Sequence, residues 1–235
     1  MIAYKFLGSG RVATYSGVSW PEPGTWLEAR GEIEPCVAGI HALRASELLG
    51  WIDDELWTCE LGGTIEDDGE MLVAERGRLL ARLQAWNESS AHDFARDCAA
   101  RGRDVVVESL REEHPGAARA LTGLGAAAFA STAPGVAAQL PPEAAGLVVM
   151  AADTTALAEG RALAEREPRL HSHLEAVAAS RSTHGAIAAN VAFVVAHSTA
   201  SLHPDGYDSG FAVERAWQLE RLLDRLGIAH THAFA

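Results

Sequence analysis

Lysine is nearly absent from this chain: Lys5 is the only one among 235 residues. A phosphate-binding loop of the G-x-x-x-x-G-K-S/T type, which needs its lysine, is thereby excluded. Basic charge as a whole is scarce, with 19 Lys and Arg against 32 Asp and Glu and a formal net charge of −13. An acidic surface repels phosphate backbones, and the arginines are scattered, so no nucleic-acid partner is expected. Long hydrophobic runs are also missing. The longest apolar stretches lie near residues 147–152 and 186–196, the second broken by Asn190, and neither approaches a membrane span. No membrane partner is therefore expected. The opening "MIAYKFLGSGR" lacks the apolar centre of a signal peptide, which gives the expectation of a cytoplasmic protein. Cysteine is rare: Cys36, Cys59 and Cys98 are odd in number and unrelated in spacing, which suits free thiols in a reducing compartment.

The chain changes character near Asn87. Five of the six tryptophans precede it, with frequent glycine, proline and short alternating runs. An alanine-rich stretch of helical spacing follows. The expected fold is α+β: a mixed β-sheet domain with a short helix over residues 1–87, then an antiparallel helical bundle over 88–235. In the first part "IAYKF" alternates as a strand, and "RVATY" would pair with it across Gly8–Gly10 as a hairpin. "TWLEAR", "GIHAL", "LWTCEL" and "EMLVAERGRLL" read as further strands. "SELLGWIDD" reads as a short helix capped by Ser46. Within "LWTCEL", Trp57, Cys59 and Leu61 share the face expected to enter the core. The acidic run "EDDGE" at 66–70 reads as a solvated hairpin turn.

In the second part Ser90 with Asp93 is a candidate helix start. Pro115 ends that helix or begins the next, and Pro142 suits a first helical turn. "AARALTGLGAAAFAS" reads as one helix weakened by glycine, "STAPGVAAQLPPE" as punctuation, and a further helix runs to Pro168. Residues 184–203 form another, closed by "PDGYDSG". "FAVERAWQLERLLDRLG" is the clearest helix, with Val213, Ala216, Leu219, Leu223 and Leu226 as its apolar face and Gly227 as its stop.

Candidate chemistry is sparse. Cys36 and His41, in "EPCVAGIHALR", are the catalytic candidates, because a thiolate nucleophile needs a base within hydrogen-bond reach. On one straight strand their odd spacing would set them on opposite faces; a turn at Ala38–Gly39 would bring them together. The alternative is a structural cysteine with His41 bonded to a neighbouring loop. Negative neighbours such as Glu34 favour the latter. Asn190, Phe193 and His197 fall on one face of their helix and are the binding candidates, as pocket lining or as interhelical bonding groups. Glu214, Arg215 and Gln218 suit interface or ion-pair roles. The pairs His171/His173 and His230/His232 would point one way on an extended segment, as a divalent cation requires, but roughly 200° apart on a helix. No Cys-x-x-Cys and no completing zinc spacing accompany them, so no metal site is assigned. No cofactor is indicated.

The order "GEIEPCVAGIHALR", short helix, "LWTCELGGTI", "EMLVAERGRLL" resembles small uncharacterised phage and bacterial domains that share a Cys-x-x-Gly-aliphatic-His core. Cys36, Gly39, Ile40 and His41 carry the likeness, which spans roughly residues 1–85. "ERAWQLERLLDRL" is similar to a closing helix in bacterial proteins. A looser likeness to ADP-ribosyltransferase-type folds rests on the strand before the short helix; it implies a nucleotide-directed enzyme with His41 in its pocket. The Arg–Ser–Glu and His–Tyr–Glu sets of such enzymes do not occur in order here. The leading expectation is thus a non-catalytic binding or assembly protein whose helical bundle contacts a protein partner or a second copy. The ADP-ribosyltransferase-like enzyme comes second and a metal-dependent enzyme third.

Overall fold

A computed structural model describes residues 1–160 and 183–229, so the pairs His171/His173 and His230/His232 lie outside the described residues, as does the helical reading up to Pro168. The fold is α+β. The chain divides into two compact units: Met1–Ser90 together with the chain from Leu219, and Ala91–Gln218.

The first unit is built on strands β1 (Ile2–Leu7), β2 (Leu27–Glu28), β3 (Ile40–Ala42), β4 (Glu55–Asp67) and β5 (Leu72–Arg82). The expected mixed sheet is instead antiparallel at every pairing among the described residues. Only β4 and β5 are joined by a tight hairpin; β1, β2 and β3 reach their partners through connections long enough for either direction, and each runs antiparallel. The order is β1-β4-β5-β2, with β3 beside β5 on the same edge as β2. Just beyond β3, Leu43 exchanges two backbone hydrogen bonds of 2.8 Å with Tyr4 of β1. The sheet therefore curls back onto its first strand, which removes backbone groups that an open edge would expose. Two register shifts in β4, at Thr58/Cys59 and Gly62/Ile65, provide the bends.

"RVATY" does not form the expected hairpin with β1. It makes only isolated bridges, and β1 pairs with β4 from Ile2↔Glu60 to Leu7↔Glu55. The "EDDGE" turn does join β4 to β5. Asp68 Oδ1 accepts from the Glu70 and Met71 N–H groups at 2.9 and 2.8 Å. Trp57, Cys59 and Leu61 enter the core as expected, with Ala3, Leu7, Trp20, Ile40, Ala42, Leu72, Ala74 and Leu79. Packing is tight enough that a Cβ on Gly77 would come within 2.6 Å of Ile40 Cγ2. The short helix is a 3-10 helix over Ala45–Trp51. Its cap is Arg44, not Ser46, because the Glu47 carboxylate accepts from the Arg44 N–H at 2.7 Å. On the other side of the sheet Trp86 is fully buried. It stacks edge-on to Phe6 at 5.6 Å and donates from Nε1 to the Asp53 carbonyl at 2.7 Å.

Among the described residues the helices are α1 (Glu88–Ser109), α2 (Pro115–Leu121), α3 (Ala126–Ala137), α4 (Pro142–Ala158), α5 (His184–Ala200) and α6 (Tyr207–Leu226). Asn87 starts α1, in place of the expected Ser90/Asp93 pair: its Oδ1 accepts from the Ser90 N–H, and Ser90 Oγ accepts from the Asn87 N–H. Pro115 and Pro142 open α2 and α4. The single helix expected over "AARALTGLGAAAFAS" is two, α2 and α3, separated at Gly123, whose φ of +71° no helix accommodates. Conversely α3 runs on through Pro134, where punctuation was expected. Val106, Val107, Leu110, Leu121, Phe129 and Val148, with small alanines, make the core of these helices. The buried hydroxyls of Thr155 and Thr199 donate to carbonyls one turn back, at 2.6 and 2.8 Å, so burial leaves them satisfied.

The face of α6 differs from the expected stripe. Leu219, Leu223 and Leu226 are buried, but Val213 is 50% exposed and Ala216 is exposed. Glu214 and Gln218 take the buried positions instead. Arg101 Nε donates to Glu214 at 2.6 Å, and Gln218 Nε2 donates to the Ala192 carbonyl at 2.9 Å and to Glu214 Oε1 at 3.2 Å. The helix turns its polar side inward there because that side finds α1 and α5 partners, which an apolar side would leave unpaired.

Candidate functional site

The first candidate is the only lysine. Strand alternation sets Lys5 between Ala3 and Leu7, on the face of β1 that lines the apolar interior of the first unit. Its Nζ lies 6.0 Å from the centre of the Trp20 ring. Burial pushes the ammonium down to about 8, against a smaller opposing pull from Cys59. Cys59 is fully buried, and desolvation pushes its thiol up to about 12. This pair is a weak cation beside a thiol that stays protonated, not an activated nucleophile. The space near it, between Lys5, His41, Trp51 and Met71, amounts to about 20 Å³, too little for any organic ligand.

Cys36 and His41 do come together, but through the backbone. The Cys36 N–H donates to His41 Nε2 at 3.2 Å. Cys36 is exposed and sits at φ +62°, a conformation unusual for a side chain, and the histidine acceptor helps hold it there. Nε2 is thereby occupied by an amide. Desolvation and the Lys5 charge push the His41 imidazolium down, against hydrogen bonding to Gly39 and the charge of Asp68. The neutral ring that accepts from Cys36 is the favoured form.

The second unit carries an aromatic group on α5 and α6. Phe193 packs against the His197 ring at 4.1 Å, Phe211 lies 4.9 Å from His197, and Tyr207 is 6.1 Å from Phe211 with the rings stacked. The Tyr207 hydroxyl bonds His197 Nδ1. Burial and the nearby Arg215 push the His197 imidazolium down. Phe193 is 46% and Tyr207 43% exposed. Of the three binding candidates, Phe193 and His197 thus belong to one cluster. Asn190 is half-buried one turn away. Sequence spacing did not single out Tyr207, which sits in the apparent loop "PDGYDSG", or Phe211. Gly206 at φ +93° ends that loop early, so that Tyr207 is the first residue of α6.

Among the described residues no group of three or more His, Cys, Asp or Glu side chains is placed to hold a metal ion, and no helix is long and apolar enough to cross a membrane. Comparison with protein-family models, curated proteins and solved structures gives no match to this chain.

Proposed function

We propose that this is a non-catalytic binding or assembly protein whose helical unit, read as an antiparallel bundle, makes protein–protein contacts. The observation that carries this reading is the exposed aromatic group of Phe193 and Tyr207, braced from below by His197 and Phe211. Rigid, partly exposed aromatics are the side chains most enriched where proteins meet. The engagement of His41 Nε2 by a backbone amide also favours a structural histidine over a catalytic base.

Light scattering on the eluting protein is the direct test. The expected result is a mass above the 24.9 kDa of one chain, reverting to one chain when Phe193 and Tyr207 are both replaced by serine. Both residues are partly exposed, so the double variant should keep its helical signal. A single-chain mass, combined with a melting temperature raised by NAD or by a divalent cation, would replace this reading with the ADP-ribosyltransferase-like or the metal-dependent enzyme.

A further inference from the structure

Arg103, on α1, is a half-buried guanidinium that forms no ion pair among the described residues, with Asp104 and Glu159 acting on it only at longer range. Glu108 is taken by Arg111 at 2.8 Å, and Glu159 by Arg96 at 3.4 Å. Its one polar contact is a donation from Nη1 to Thr155 Oγ1 at 3.2 Å. Thr155 is fully buried and commits its own proton to the Ala151 carbonyl at 2.6 Å, so its lone pairs are oriented to receive the arginine. The guanidinium centre is 5.7 Å from the centre of the Phe129 ring. Desolvation destabilises its charged form, only partly offset by the charges of Asp104 and Glu159, and a bound anion would offset it further. One of its five N–H donors is used by Thr155; the others remain for a ligand.

Arg103 lines a cleft of about 220 Å³ between α1 and the α2–α3 turn, whose apolar walls are Val107, Leu121, Leu124 and Phe129. We propose that this cleft binds a small organic monocarboxylate, with the carboxylate on Arg103 and the hydrocarbon body against Phe129 and the leucines. The planar fork of arginine matches a carboxylate through two parallel hydrogen bonds. Asp104 and the paired Glu108 and Arg111 line the same cleft; the Asp104 charge repels a second negative charge, which selects against phosphate dianions. The volume is below the ~300–1,000 Å³ of sites for drug-sized ligands, so the ligand is about the size of benzoate.

The test is an amide nitrogen–proton titration of the full chain with benzoate, benzamide and inorganic phosphate. Benzoate should shift the Thr122, Gly123 and Leu124 amides saturably, while benzamide and phosphate should not at the same concentrations. Arg103→Gln should weaken benzoate roughly tenfold or more, since a charge-assisted bond is removed. Arg103→Lys, which keeps the charge and loses the fork, should fall between and covers the case in which the glutamine variant does not fold. The exposed Arg119→Gln should bind as the parent does. Equal shifts from phosphate or benzamide, no localised shifts from benzoate, or parent-like affinity in both Arg103 variants would overturn the proposal.

Discussion

Replacing Lys5 with methionine should stabilise the protein at neutral pH. Folding lowers the pKa of the Lys5 ammonium from 10.5 to about 8, because its surroundings are apolar. A difference of about 2.5 in pKa corresponds to ~3.4 kcal/mol at ~1.36 kcal/mol each. Lys5 keeps partial exposure, which lets water screen the charge, so ~2 kcal/mol is the working figure. Methionine matches the stem in length and forfeits only the distant contact with Trp20, worth under ~1 kcal/mol. The pH dependence makes the test sharper. Between pH 8 and 10.5 the unfolded chain holds the lysine proton and the folded chain does not, so stability rises with pH. Cys59 acts in the opposite sense. Its pKa is raised from 9.0 to about 12, so above pH 9 the folded state keeps a proton that the unfolded state releases, and stability falls. The parent should therefore gain stability from pH 8 to 9, level off to about pH 10.5, and lose it above that. Tyr4, raised by burial from 10.0, adds to the loss at the alkaline end. Lys5→Met should show no rise at pH 8–9 and a decline that begins near pH 9. Urea unfolding followed by tryptophan fluorescence across pH 7–11 measures both curves. A variant less stable than the parent at pH 7, with the same pH profile, would refute the reasoning.

Gly77→Ala should destabilise by about 1–3 kcal/mol in the same assay, because the added methyl would overlap Ile40 Cγ2; an unchanged midpoint would mean that β5 and β3 pack more loosely than described. Leu223→Ala should cost ~2–5 kcal/mol and Val213→Ala under ~0.5 kcal/mol, since the first is buried and the second exposed; equal costs would show that the face of α6 is wrong. Iodoacetamide should label Cys36 in the native protein and reach Cys59 and Cys98 only after unfolding, as mass spectrometry of the digested protein would record. Melting curves with and without reductant should coincide.

What the sequence by itself determined is what short range can specify. Asp67–Asp68–Gly69 closes the β4–β5 hairpin through its own side chains. Alternation sends Trp57, Cys59 and Leu61 inward, and Pro115 and Pro142 open helices because their missing N–H groups cost nothing there. The leucines at the end of α6 were legible for the same reason: one residue type at helical spacing needs no partner to be recognised. Other features were decided only when distant residues met. β1 had two neighbours available, the nearby "RVATY" and the distant β4, and it took β4, whose long ladder satisfies its backbone from Ile2 to Leu7. The partner of His41 depended on the turn that gives Cys36 its positive φ and aims its amide at the ring. Lys5 carried a faint signal, the one charged residue of β1, but its depressed pKa required knowing that the sheet curls over it. Arg103 and Glu214 looked alike in the sequence, as charges on helices. The tertiary structure separated them by giving Glu214 an arginine and Arg103 only a hydroxyl. Desolvation and pairing are properties of the surroundings, and those surroundings come from residues far away in the chain.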